Sequence, residues 1–325
     1  MNFLAGDIGG TTSRLWLGGW HDKSLQTAEE RYYSNEAFEN FGNLLDTFLK
    51  ETGVHLPLQR ACLAVAGPIR HENGGTVARL TNCPWEIVAD DIALQLGATP
   101  TRLINDFEAI GWGVRALADD AYETIQAGHP DRKGPRAVLG AGTGLGTVLA
   151  IPHDKHWHVL PSEGGHVDFG PGEALDLPLL EALWKQFGHA SWERAVSGPG
   201  LLFVYRWLCM QQGTTPTLKD PGAVSSAALD NADLVAVDAL TRMCRLYGAQ
   251  AGNLALTTLP RGGLYLAGGI AAQVLKGSFR HAFVRGFLDK GRLSQLMETI
   301  PIYLITTPRI GLLGAAFCAA GQAGR

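Results

Sequence analysis

A strand, a glycine-rich turn and a second strand occur twice in the chain, and this repeat constrains the fold more than any other feature. The first copy, NFLAGDIGGTTSRLWLGG, covers residues 2–19, and the second, RAVLGAGTGLGTVLAIP, covers residues 136–152. Because such self-similarity is typical of duplication, the two copies predict two α/β cores, one in each domain. A length of 325 residues is sufficient for both.

Apolar periodicity and chain breakers predict alternating strands and helices along the rest of the sequence. The predicted strands cover residues 2–8, 12–19, 60–66, 101–106, 264–268 and 302–306. The predicted helices cover residues 38–51, 90–97, 107–117, 173–187, 199–212, 231–257 and 311–320. This alternation makes the fold class α/β, and the hairpins argue against an all-parallel sheet.

Composition narrows the partners and the compartment. The net charge is −4 and the chain has no block of five Lys or Arg residues, so we expect neither nucleic acid nor a membrane as partner. Five scattered cysteines are typical of reduced thiols in a cytoplasmic protein. The start, MNFLAGDIGG, lacks the basic residues of a secretory signal, and the longest apolar stretch, 264–275, is too short to span a bilayer.

The first glycine turn is a candidate phosphate site. Glycines let backbone N–H groups approach a phosphate, and threonine hydroxyls add donors. Asp7, just before the turn, would then face a magnesium ion, directly or through water. An ordinary hairpin with an Asx turn remains the alternative. The candidate nucleotide-binding residues here are Asp7, Gly9, Gly10, Thr11 and Thr12.

Two further glycine segments suit a nucleotide. Glycines alternate around Thr143 and Gly144, but the spacing differs from the dinucleotide fingerprint, and the chain has no Walker A sequence. The third segment contains Gly268, Gly269 and Ile270 and lies between a predicted strand and a helix, where backbone can approach a base or ribose. Taken alone, it also fits a simple packing turn.

Asn105 and Asp106 follow a predicted strand, at the position where α/β folds display reacting groups. An aspartate there can accept the proton of an attacking hydroxyl in phosphoryl transfer. The alternative is that Asp106 only caps the next helix.

Polar residues in three other segments could hold a polyol. Glu163 and His166 flank a Gly-Gly pair, with Asp168 close behind, and such groups bind hydroxyls through charge-assisted hydrogen bonds. A metal site is the rival interpretation, although further ligands at suitable spacing are missing nearby. Glu193, beside Arg194, offers another acceptor or a surface ion pair, and Asn82, in TNCPW, offers an amide beside an aromatic ring or a structural turn.

Together these segments closely resemble the zinc-free bacterial glucokinases of the hexokinase and actin superfamily. The resemblance covers nearly the whole chain in one order, through DIGGTTSRL, AVAGPI, LTNCPWEI, LINDFEAIGWGV, LGAGTGLG, LPSEGGHVDFGP, ERAVSGPGL, LAGGIA and GLLGAAF. It implies a two-domain actin-like (ribonuclease H-like) ATPase fold with a sugar cleft between the domains. The small domain would comprise residues 1–112 with 307–325, and the large domain residues 113–306.

The resemblance also implies an ATP-dependent kinase that phosphorylates the 6-hydroxyl of D-glucose, with Mg²⁺ and as a homodimer. By resemblance, Asp106 is the catalytic base, and the remaining hydroxyls are held by Asn82, Asn105, Glu163, His166 and Glu193. The three glycine segments would bind the nucleotide. Related ROK proteins carry a cysteine-rich zinc motif after the equivalent histidine, whereas VDFGPGEALDLPLL has no cysteine here, so we expect no zinc.

Three alternatives stay open at this point. Another hexose on the same fold is possible, because one sequence does not show which hydroxyl each group meets. A sugar-sensing regulator would need a DNA-binding domain before the first glycine turn, and we expect none because Asp7 comes so early in the sequence. A filament-forming or chaperone ATPase would hydrolyse ATP without any dependence on sugar.

Overall fold

The structure is a computed structural model that describes residues 2–21, 24–72, 74–154 and 156–321. The described residues form two compact units. Unit 1 comprises Met1–Leu117, His153–Pro161 and Thr307–Arg325, and unit 2 comprises Ala118–Pro152 and Ser162–Thr306. The proposed domain boundaries at residues 112 and 307 stay a prediction, and their terminal residues 1 and 322–325 lie outside the described ranges.

Fourteen strands are assigned within the described ranges. They are β1 (Asn2–Ile8), β2 (Thr12–His21), β3 (Ser24–Ser34), β4 (Arg60–Val65), β5 (Ile69–Glu72), β6 (Gly75–Arg79), β7 (Glu86–Val88), β8 (Thr101–Asn105), β9 (Tyr122–Gln126), β10 (Arg136–Ala141), β11 (Leu145–His153), β12 (His156–Ser162), β13 (Gly263–Ala267) and β14 (Ile302–Ile305).

Twelve α-helices are assigned over the same ranges. They are α1 (Phe41–Thr52), α2 (Ala89–Gln95), α3 (Asp106–Gly113), α4 (Leu177–Phe187), α5 (Trp192–Ala195), α6 (Gly198–Gln211), α7 (Pro221–Leu229), α8 (Leu234–Thr258), α9 (Gly269–Val274), α10 (Gly277–Leu288), α11 (Ser294–Glu298) and α12 (Ile310–Gly321). None of them is long and apolar enough to cross a membrane.

The two large sheets repeat one topology, as the duplicated hairpin predicts. The first has the order β3-β2-β1-β4-β8 and the second β12-β11-β10-β13-β14-β9. In each, an antiparallel hairpin joins a strand that runs parallel to its first member, β4 beside β1 and β13 beside β10. The sheets are therefore mixed, and the α/β class predicted from the sequence is confirmed.

Small side chains let the last helix pack closely inside unit 1. Within α12, a Cβ on Gly314 would overlap the carbonyl oxygen of Ala109 in α3. A Cβ on Gly113 would lie 2.8 Å from the carbonyl oxygen of Ile310. Because core packing leaves no room for such atoms, glycine at these positions sets how near α3 and α12 approach. This approach brings the start of α12 toward β1 and the first glycine turn.

The predicted elements agree with the structure for most buried segments and differ at polar ones. The predicted end of the helix at residue 117 is wrong, because α3 stops at Gly113 and a 3₁₀ turn follows it over Val114–Ala116. The long strand β3, with sequence SLQTAEERYYS, was not predicted. Its charged side chains belong to an edge strand, where alternation of apolar residues is weak.

Candidate functional site

The first glycine turn joins β1 to β2 and is braced from a distance. Within it, the Gly9 amide donates to the Thr12 carbonyl oxygen at 2.9 Å. The buried Asn35 side chain donates to the Gly9 carbonyl oxygen at 2.9 Å and accepts from the Ser13 hydroxyl at 2.8 Å. Its backbone amide also donates to the Thr11 carbonyl oxygen. Asn35 therefore fixes the turn, a role that no local pattern in the sequence indicated.

Asp7 lies near the end of β1, opposite Arg14 in β2. Burial raises the pKa of Asp7, and the positive charge of Arg14 offsets part of that rise. The start of α12 lies against this carboxylate, since a Cβ on Gly311 would be 3.1 Å from the Asp7 Oδ2 atom. Asp7 is thus held between a strand pair and a helix N-terminus, where backbone N–H groups favour negative charge.

Asp106 is the first residue of α3, directly after β8. The Phe107 amide donates to Asp106 Oδ1 and to Asn105 Oδ1, both at 2.9 Å. Asn105 is the N-cap, and its amide nitrogen donates to the Gly67 carbonyl oxygen at 3.1 Å. Asn105 therefore performs the capping that was the alternative role for Asp106.

The pKa of Asp106 is raised to about 6, chiefly by burial, and the negative charge of Asp7 adds to the rise. The hydrogen bond from the Phe107 amide opposes it. Such a carboxyl group is ionised at neutral pH and still basic enough to accept a proton from a hydroxyl. Two predicted site residues far apart in sequence, Asp7 and Asp106, are thus electrostatic neighbours in unit 1.

Asn82 also lies at the first turn, because a Cβ on Gly10 would be 3.0 Å from the Asn82 Cβ atom. Its side chain is exposed. The neighbouring Trp85 is buried in the core, where it contacts the Phe41 ring. Trp85 therefore packs as a structural residue of the core and does not present its ring beside Asn82.

In unit 2, the second and third glycine segments end two neighbouring parallel strands. Ala267, the last residue of β13, pairs with Gly140 in β10. A Cβ on Gly268 would overlap the carbonyl oxygen of Ala141, and Gly268 has a φ of 86°, which favours glycine. Helix α9 begins at Gly269. The segments containing Thr143, Gly144, Gly268, Gly269 and Ile270 are thus brought together at one end of this sheet.

The predicted polyol ligands of unit 2 also form one group. The Nε2 atom of His166 lies 3.8 Å from Glu163 Oε2 and 3.8 Å from Glu193 Oε2. Glu193 Oε2 accepts from the Leu145 amide at 3.0 Å, and a Cβ on Gly144 would be 2.6 Å from the same oxygen. Glu193 therefore links this group to the second glycine turn, which the sequence interpretation of a surface ion pair with Arg194 did not indicate.

His189 is a neighbour that the sequence analysis missed. Its Nδ1 atom lies 3.6 Å from Asp168 Oδ1, and its Nε2 atom is 3.2 Å from the His166 carbonyl oxygen. Across the described ranges, no group of three or more His, Cys, Asp or Glu side chains could hold a metal ion.

The fold and these features define a class, the sugar kinases of the actin-like ATPase fold. The sequence matches the model of the Glucokinase family over residues 4–322. A glucokinase from Synechocystis is 39% identical, with 98% of each chain covered. The crystal structure of a glucokinase from an Antarctic psychrotroph superposes with a TM-score of 0.88 at 32% identity, again with 98% of each chain covered.

The chain belongs to the Glucokinase family. The resemblance drawn from the sequence is confirmed, and with it the expectation of an ATP-dependent kinase for glucose. A more distant likeness concerns the fold alone. A ROK family glucokinase from Streptomyces griseus, in complex with glucose and AMPPNP, has a TM-score of 0.61 at 18% identity, with 98% of this chain and 99% of that one covered.

Proposed function

We propose that Asp106 takes the proton of the glucose 6-hydroxyl as its oxygen attacks the γ-phosphorus of ATP. The bond from phosphorus to the β,γ-bridging oxygen breaks, and the products are glucose 6-phosphate and ADP. The observation that carries this proposal is the partly buried carboxylate of Asp106, with its pKa near 6, directly after β8. Positioning and charge stabilisation supply most of the catalysis in phosphoryl transfer.

In this proposal the remaining site residues divide between sugar and nucleotide. The sugar hydroxyls are held by Asn82, Asn105, Glu163, His166 and Glu193. The nucleotide is held by Gly9, Gly10, Thr11, Thr12, Thr143, Gly144, Gly268, Gly269 and Ile270. Support comes from the grouping of these residues within each unit, since Asn82 lies at the first turn and Glu193 at the second. The Streptomyces griseus protein, which has the same fold, is in complex with a sugar and a nucleotide analogue, glucose and AMPPNP.

The carboxylates of Asp7 and Asp106 in unit 1 suit a magnesium ion. Carboxylate oxygens are its preferred protein ligands, and it usually keeps several waters. Asp7, whose pKa is raised by burial, would hold the ion through water, with Asp106 adding negative charge nearby. When bound, magnesium neutralises charge on the phosphates of the nucleotide.

The proposal extends to a homodimeric, cytoplasmic enzyme at the first step of glycolysis. The net charge of −4 supports an enzyme without nucleic-acid partners. Sedimentation of the purified chain tests the dimer.

A coupled assay with a panel of sugars tests the substrate. We expect ADP formation to depend strictly on sugar, with glucose giving the highest kcat/KM among glucose, mannose, fructose and N-acetylglucosamine. Melting temperatures with each sugar and Mg-ATP supply an independent binding measurement, because a ligand that binds the folded state stabilises it. A higher kcat/KM for another hexose would make that sugar, and not glucose, the preferred substrate. Sugar-independent ATP hydrolysis would favour an ATPase.

The pH profile tests the base. We expect kcat/KM for glucose to rise with pH through an apparent pKa near 6, because only the ionised Asp106 carboxylate accepts a proton. The measurement uses saturating Mg-ATP from about pH 5 to about pH 8, around the pKa that a general base needs. A control variant, Asp90→Asn, changes an exposed carboxylate in the first turn of α2 and should keep the same profile. A flat profile across this range would contradict the role of Asp106.

Gly311→Ala tests the position of Asp7. The new Cβ would lie 3.1 Å from Oδ2 and 3.2 Å from Cγ of Asp7, so the carboxylate must shift by a few tenths of an ångström. We expect kcat to fall roughly tenfold, because catalysis is sensitive to small displacements. Gly170→Ala is the control, since its Cβ would find its nearest neighbour at 4.0 Å. Unchanged kcat in Gly311→Ala, with Mg²⁺ dependence also unchanged, would remove Asp7 from the site.

A further inference from the structure

Unit 1 contains a second candidate binding site, separate from Asp7 and Asp106. It is a cavity of about 680 Å³ whose lining residues include Arg60, Arg102, Trp112 and Trp157. The exposed residues His156 and His158 also line it. Its volume lies within the range of small-molecule sites. We call it the arginine cavity.

The arginine cavity is cationic, although the chain as a whole carries a net charge of −4. Among its described lining residues there is no carboxylate. Arg102 pairs with Glu108 at 2.7 Å, whereas no side chain of the described ranges forms an ion pair with Arg60. A neighbouring cavity of about 450 Å³ shares Arg102 but is also lined by Glu108, so its charge is partly cancelled. An anion is therefore favoured in the arginine cavity.

The two tryptophans restrict the chemical class of the ligand further. Trp112 is buried, and Trp157 packs against the apolar cluster formed by α3, α12 and the adjacent face of the first sheet. Indole rings favour a flat apolar group, and guanidinium groups bind phosphate or carboxylate through paired hydrogen bonds. We propose that the arginine cavity binds a small organic anion that carries a flat ring.

Such a ligand would not compete with glucose for Asp106. Arg60 is the first residue of β4 and Arg102 the second residue of β8, and these strands run parallel. Asp106 follows the other end of β8, four residues beyond Arg102, which corresponds to about 13 Å of extended chain. The arginine cavity and the catalytic carboxylate thus lie at opposite ends of the same strand, and both can be occupied at once.

Calorimetric titration of phenyl phosphate into the full chain tests the proposal, in the presence of saturating glucose and Mg-ADP to fill the catalytic site. Inorganic phosphate supplies the charge without the ring, and benzyl alcohol the ring without the charge. We expect one phenyl phosphate per chain, bound more tightly than either comparison compound. Arg60→Gln should weaken it about tenfold, as expected for losing a charge-assisted hydrogen bond.

Two further variants protect the result from misfolding and from nonspecific charge effects. His158→Ala changes an exposed lining residue and should also weaken binding, while Arg292→Gln, an exposed arginine of unit 2, should leave it unchanged. The glucokinase activity of Arg60→Gln should match the wild type, because Arg60 has no part in the proposed catalytic site. Its melting temperature should also match, because the substitution breaks no ion pair within the described ranges. Absence of binding, equal weakening in Arg292→Gln, or unaltered affinity in both Arg60→Gln and His158→Ala would overturn the proposal.

Discussion

Asp106→Asn is expected to lower kcat by roughly 10²- to 10⁴-fold, the usual contribution of a positioned general base. The amide cannot accept the proton of the 6-hydroxyl. The fold should persist, because an asparagine oxygen can still accept from the Phe107 amide and Asn105 remains the N-cap of α3. Loss of a carboxylate whose pKa is raised by burial also removes an unfavourable buried charge.

The measurement is steady-state kinetics together with glucose binding by calorimetry. Glucose affinity should stay close to that of the wild type, since a hydroxyl donates to an amide oxygen as well. Asp90→Asn, in the first turn of α2, should leave kcat unchanged. Retention of most of the wild-type turnover in Asp106→Asn would assign the proton transfer to another group.

The second large effect concerns stability. Arg245 in α8 and Asp176 before α4 form an ion pair in the core of unit 2, with only 5% and 1% of their surfaces exposed. Asp176 Oδ2 also accepts from the amides of Gly172 and Glu173, each at 3.0 Å. Asp176→Ala leaves the guanidinium group without its closest partner. We expect the free energy of unfolding to fall by about 3–5 kcal/mol, as found when one member of a buried pair is removed.

Urea unfolding measures this loss, and α8 provides a matched control. Asp238→Ala breaks the partly exposed pair with Arg242, at 3.1 Å, and should cost only about 0.3–0.5 kcal/mol. The double variant Asp176→Leu with Arg245→Met should recover most of the stability, since buried pairs are often replaceable by apolar side chains. A loss in Asp176→Ala as small as in Asp238→Ala would show that Glu173, 3.7 Å from Arg245 Nε, compensates.

Much of the fold was predictable because its signals are local. The two hairpins, the parallel strands that follow them and the helix after Asp106 each depend on short apolar runs and glycine turns. Prediction failed where solvent exposure or distant packing decides structure. The edge strand β3 is polar, and the last residue of α3, Gly113, packs against Ile310 of α12, nearly two hundred residues later in the chain.

The candidate site shows the same division. Residue types and strand ends predicted Asp7, Asp106 and the glycine turns as candidate site residues, because catalytic groups and phosphate loops often occupy fixed places relative to strands. Asn35 and His189 were missed, since each contacts the site through hydrogen bonds or ion pairs that have no counterpart in local sequence spacing.

The sequence by itself determined the fold class, the family and the positions of the glycine turns, because backbone propensity and side-chain periodicity act over a few residues. Only the tertiary structure decided that burial raises the pKa of Asp106 and that Asn35 hydrogen-bonds to the first glycine turn. It also decided that Glu193 accepts a hydrogen bond from Leu145, beside the second glycine turn. The physical reason is that desolvation, electrostatic coupling and close packing depend on which distant residues meet. Desolvation, electrostatic coupling and close packing are therefore properties of the folded chain and not of any short segment of its sequence.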